Sequence, residues 1–125
     1  MSRMVPSGST YPEQRTRMQE NMGKLLEGAP EAMKAFQGLH RAGTMVDALD
    51  TKTKELIALG IAVVCRCDGC IAFHTHDALK AGASREEIMS TLGVAMLMGG
   101  GPAMVYATHV VEALEQFEAA LAKAT

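Results

Sequence analysis

The chain has 125 residues, 48% of them hydrophobic and 4% aromatic, with a formal net charge of -2 and a pI of about 6.1. That describes one domain with an aliphatic, methionine-rich core, and the lack of a basic run argues against a nucleic-acid partner. Residues Met1 to Thr10 have no apolar stretch of the signal-peptide kind and read as loosely tethered; the longest apolar run, Leu56 to Cys65, is too short to span a bilayer, so the expectation is a cytoplasmic protein without a membrane partner.

The elements follow from periodicity and punctuation. Met18, Met22, Leu25 and Leu26 recur at helical spacing between Pro12 and Glu27, and Gly28 stops that helix. Pro30 and Glu31 open a second helix with Met33, Ala35, Phe36 and Leu39 apolar, ending near Gly43. Asp50 is a good N-cap for a third helix from Thr51 to about Cys65. It is apolar nearly all round after Glu55, which predicts a buried central helix, and Gly60 within it hints at a close neighbour. A fourth helix runs from about Asp68 to Lys80 and stops at Gly82. Ser84 and Glu87 form a capping box for a fifth helix reaching about Met98. Gly99 to Gly101 break the chain, and Pro102 starts a sixth helix to about Ala122. In that last helix Ala103, Ala107, Val110, Leu114, Phe117 and Leu121 form a seam. No strand is expected, so the fold class is an all-α, single-domain bundle of about six helices over residues 1–125. Met104, Val105, Val111 and much of helices three and five stay apolar outside any one stripe, which leaves surface for a homo-oligomer or simply more core. The ten methionines read as adaptable packing.

All three cysteines fall within six residues, Cys65 to Cys70. With Asp68 starting the fourth helix, Cys67 sits at its N-cap and Cys70 in its first turn, where free N–H groups and the helix dipole favour thiolate over a thiol pKa of about 8.5. Cys67 and Cys70 are i,i+3 neighbours, and Cys70 and His74 are i,i+4 neighbours. His74 leans back toward Cys70 and lies roughly 10 Å along the axis from Cys67, so it serves Cys70 and not Cys67. Cys70 is therefore the expected nucleophile, with Cys67 resolving its sulfenic acid into a disulfide; the reverse order, with the first cysteine of the pair reactive, stays open.

Glu55, eleven residues, then Cys67-x-x-Cys70-x-x-x-His74 resembles the signature of the alkyl hydroperoxidase D branch of the carboxymuconolactone decarboxylase family. The segment Asp77 to Ile88 and the Gly-Gly-Gly-Pro102 break are similar to the same family, and the resemblance spans roughly Ala29 to Leu121. It implies an all-helical oligomer, a trimer of dimers or a trimer, that reduces peroxides through the cysteine pair without a cofactor. It also implies a relay in which Glu55 polarises His74 and His74 activates Cys70. The implied partners are an organic or hydrogen peroxide and a dithiol donor of the dihydrolipoamide or thioredoxin-like kind. The founding enzyme carries a further histidine just before its second cysteine, where this chain has Gly69. The decarboxylase branch lacks the cysteine pair, which argues against that activity here.

Other readings remain. The same residues suit a dithiol–disulfide carrier. Cys65, Cys67, Cys70 and His74 also offer four zinc-type ligands, although structural zinc sites usually draw on two separated pairs. Cys65 alone reads as a small buried residue closing helix three. His40 is placed to meet the dipole at the end of helix two, while His76 and His109 read as surface or interface residues, and Phe73 and Ile71 as pocket or core. A simple hairpin about Arg66 would set Glu55 opposite Ala78, one turn beyond His74, so spacing alone joins Glu55 to His74 only through a steep crossing or a neighbouring subunit.

Overall fold

Capping chemistry sets the boundaries of five helices in a computed structural model that describes residues 9–124. They are α1 (Tyr11–Gly28), α2 (Pro30–Thr44), α3 (Thr51–Val64), α4 (Asp68–Lys80) and α5 (Arg85–Ala124), and no strand occurs among the described residues. The expectation for residues 1–8 falls outside that range. Thr10 is not loose: it caps α1, its Oγ1 accepting from the Glu13 N–H at 3.2 Å while Glu13 Oε1 accepts from the Thr10 N–H at 2.8 Å. The backbone and hydroxyl of Thr10 hold the Glu13 carboxyl below its usual range. Asp50 caps α3 through the Thr53 N–H at 2.8 Å, and Ser84 with Glu87 caps α5 reciprocally.

The sixth predicted helix is the second arm of α5. Gly100, at φ 69° and ψ -151°, interrupts the helix, and Pro102 follows it at the start of the second arm, where a missing N–H costs nothing. The two arms fold back on each other. Arg85, at the start of the first, pairs with Glu118, near the end of the second, at 2.7 Å, whereas a straight helix would hold them roughly 50 Å apart. The stretch Arg85–Lys123 is long and apolar enough to cross a membrane by length and composition, but it forms a helical hairpin and not one spanning rod.

The core lies where α3, α4 and both arms of α5 meet. Leu59, Val63, Ile71, Ile88, Val110 and Leu114 are fully buried there, each burial contributing about 1.5–3 kcal/mol before entropy is counted. The predicted seam of the last helix is buried from Ala103 to Phe117 but not at Leu121, which is exposed near the chain end. α3 is central, yet only one face of it is covered within the chain: Ile57, Ile61 and Val64 are exposed. With Val94 and Met98 of α5 they line an apolar groove of about 520 Å³. The tight approach inferred at Gly60 occurs instead at Gly99. A Cβ on Gly60 would meet Thr91 at an ordinary 3.5 Å, but one on Gly99 would lie 2.6 Å from the Ala103 Cβ and 3.2 Å from Val64.

Candidate active site

α3 ends in a tight reversal that delivers Cys67. The Arg66 N–H bonds to the Val63 carbonyl and the Cys67 N–H to the Ala62 carbonyl, both at 3.1 Å. This is a Schellman closure with its left-handed residue at Arg66, φ 57°. Cys65, at the end of α3, points away from the core and is a free, exposed thiol, which corrects its reading as a buried residue. One residue after Arg66 the chain enters α4, and Cys67 is its N-cap, with Sγ 3.1 Å from the Cys70 amide nitrogen. Cys67 and Cys70 are joined in a disulfide, their Cα atoms 5.2 Å apart. Both half-buried sulfurs thus lie at the positive end of α4, as the sequence spacing predicts.

His74 and Glu55 meet within the one chain. The Nδ1 of His74 is 2.7 Å from Oε1 of Glu55, which is 3% exposed. The hairpin register that separated them by a turn is therefore wrong, because a register count ignores how α3 and α4 cross and how far a glutamate reaches. A Glu55 carboxylate can only accept, so Nδ1 carries the proton and Nε2 is left with its lone pair free to act as a base.

Cys70 and His74 line a common cavity of about 360 Å³ between α1, α2 and α4. Met18, Met22, Met33, Phe36 and Phe73 give it an apolar wall; Met33 is buried and Met18 packs against the core, as packing methionines do. His40 is exposed on α2, and its ring stacks on that of His74 with centroids 6.4 Å apart. Ile71 is core and Phe73 is pocket, as expected.

The other histidines are engaged inside the chain. His76 Nδ1 lies 2.8 Å from Asp77 and packs its edge on Phe117. His109 Nδ1 lies 2.8 Å from Oδ1 of Asp68, the first of the two residues between the cysteines, and the same oxygen accepts from the Tyr11 hydroxyl at 2.9 Å. Asp68 thus ties the start of α4 to α1 and to the second arm of α5. An acid lodged between two thiols was a visible signal for this; nothing in the sequence marked His40 or Tyr11.

Among the described residues, donor atoms within reach of one ion are those of His40, Glu55 and Asp77, all within 4.8 Å of one another. The four zinc-type donors suggested by the sequence do not converge, since two sulfurs are bonded to each other and Cys65 is turned out to solvent.

The chain matches the sequence pattern of the carboxymuconolactone decarboxylase family over residues 30–113. It is similar to an uncharacterized protein of Cupriavidus necator, 41% identical over 83% of this chain and 89% of that one. It is also similar to a solved carboxymuconolactone decarboxylase family protein of Legionella pneumophila, with 43% identity, a TM-score of 0.83, and 86% of this chain and 96% of that one covered. A second solved member, from Thermotoga maritima, has 29% identity and a TM-score of 0.81 over 89% of this chain and 95% of that one; an antioxidative role has been suggested for it.

Proposed function

Because this chain belongs to the carboxymuconolactone decarboxylase family, and because Cys70 of its cysteine pair shares a cavity with a histidine already held by a buried carboxylate, we propose that it is a thiol-dependent hydroperoxide reductase. The observation that carries the reading is the 2.7 Å contact of Glu55 with His74 one turn from Cys70. His74 Nε2 takes the proton of the Cys70 thiol. The thiolate attacks the outer oxygen of the hydroperoxide, the O–O bond breaks, and the departing alkoxide takes the proton back from His74 as the alcohol. Cys70 is then a sulfenic acid. Cys67 attacks its sulfur, water leaves, and the Cys67–Cys70 disulfide forms. A dithiol donor reduces that disulfide by exchange and is itself oxidised. The antioxidative role suggested for the Thermotoga relative supports this direction.

A dithiol–disulfide carrier would need the same pair but no cavity beside it; the methionine-lined space at Cys70 favours the enzyme. The setting of the reading is a soluble protein in the reducing cytoplasm. After one equivalent of hydroperoxide, mass mapping is expected to find the Cys67–Cys70 bridge with Cys65 still open to alkylation, and a dithiol should reverse it. Cys65 in the bridge would overturn the assignment of roles.

Assembly into a homo-oligomer, a trimer or a trimer of dimers, belongs to the same reading. The exposed Ile57, Ile61, Val64, Val94 and Met98 form one apolar face, more than single scattered side chains need explaining. Sedimentation at micromolar concentration should show no stable monomer, and Ile61→Asp should shift the population toward one.

A further inference from the structure

The cavity at Cys70 holds a cation that the chemistry above leaves unused. Arg15 of α1 lines the cavity, with its guanidinium carbon 5.4 Å from the centroid of the Phe73 ring. Its Nε is buried without a hydrogen-bond partner, and no carboxylate pairs with Arg15 among the described residues. The one acid among the residues lining this cavity, Asp77, is on His76 at 2.8 Å. A buried donor left unpaired is costly, and an arginine is built to grip a planar carboxylate.

Resting on the peroxidase reading, we propose that the preferred oxidant is an amphipathic organic hydroperoxide bearing a carboxylate, of the fatty-acid type, with Arg15 binding the carboxylate. Phe73 stands three residues after Cys70, roughly one turn of α4, so the cation lies within a short chain's reach of the attacking sulfur. Met18, Met22, Met33 and Phe36 receive the aliphatic body. Arg15 is a specificity residue here: it takes no part in breaking the O–O bond, and hydrogen peroxide, which lacks both body and charge, passes it by.

The test compares a medium-chain hydroperoxy fatty acid with its methyl ester and with hydrogen peroxide, in single turnover of the fully reduced protein. The wild type should consume the acid faster than the ester by about tenfold, the worth of one charged contact. Arg15→Gln should bring that ratio to about one while the hydrogen peroxide rate holds, and Arg15→Lys should restore part of it. A structural role alone would slow all three oxidants together. In a second arm decanoate should protect Cys70 from iodoacetamide in the wild type, and should not in Arg15→Gln. Hydroperoxide turnover with no preference for the acid, or a preference that survives Arg15→Gln, overturns the carboxylate site and leaves the peroxidase standing. Arg15-dependent protection without turnover of any peroxide does the reverse.

Discussion

Cys70→Ser is expected to abolish hydroperoxide consumption and disulfide formation together. Only a thiolate attacks the O–O bond at a useful rate, and only Cys70 has an imidazole one turn away that faces the same cavity. Cys67→Ser should instead consume about one equivalent per site and stop, since Cys70 still reaches the sulfenic acid but nothing resolves it. His74→Gln should slow the first turnover by about 100-fold or more at neutral pH and recover in part at alkaline pH, where solvent deprotonates the thiol. Sequence spacing alone set Glu55 one turn beyond His74, which would make its help indirect. The direct contact to Nδ1 changes that expectation. A glutamine at 55 can donate to Nδ1 and so leave the proton on Nε2, the wrong tautomer for a base. Glu55→Gln should therefore approach His74→Gln in severity, as removal of a tautomer-fixing carboxylate does elsewhere. Peroxide consumed per site, measured for each variant across a pH series, checks the set. One turnover by Cys70→Ser with none by Cys67→Ser would reverse the nucleophile, and full activity in both would sink the peroxidase reading.

Gly100→Ala is expected to cost about 1–3 kcal/mol of stability. Its backbone, φ 69° with ψ -151°, lies in a region that only glycine enters freely. For a chain of this length that lowers the melting temperature by roughly 3–15 °C. Gly99→Ala should cost a similar amount for a different reason, about 1–3 kcal/mol of overpacking, because its new methyl would land 2.6 Å from Ala103. The neighbouring Gly101→Ala is the control: its backbone φ is not positive and nothing stands within 4 Å of the added carbon. It should be neutral or slightly stabilising. Thermal unfolding of the three variants side by side decides the matter; equal losses at 99, 100 and 101 would mean the hairpin is not set by this geometry.

Helix positions were legible because their signals are local. Asp50, the Ser84–Glu87 box, the Gly99–Gly101 break and Pro102 each act within a turn of themselves, and each stands where the periodicity put it. The placement of Cys67 as an N-cap is of the same kind. What failed was the register between elements. Glu55 meets His74 through the packing of α3 on α4, which the buried Leu59, Val63, Ile71 and Ala72 determine together and no single spacing records. Burial of the apolar face of α3 was overestimated because its hydrophobicity says that a cover exists, not that the cover belongs to the same chain. Cys65 was misjudged because it continues the helical phase of α3 one turn past Ile61, on the face the chain itself leaves uncovered. Arg15, His40 and His109 join the site region from distant segments, and their contacts are tertiary throughout.

The tie at Asp68 has an optical consequence. The chain has no tryptophan and two tyrosines, and both belong to this cluster: Tyr11 donates its hydroxyl to Asp68, and the Tyr106 ring centroid is 4.6 Å from that of His109 on the same carboxylate. A phenol hydrogen-bonded to a carboxylate has a ready acceptor for its excited-state proton, and a disulfide is a quencher that a dithiol is not. All the tyrosine emission of the molecule therefore originates beside Asp68, the neighbour of Cys67, so opening and closing of the bridge can be followed in unlabelled protein by its own light.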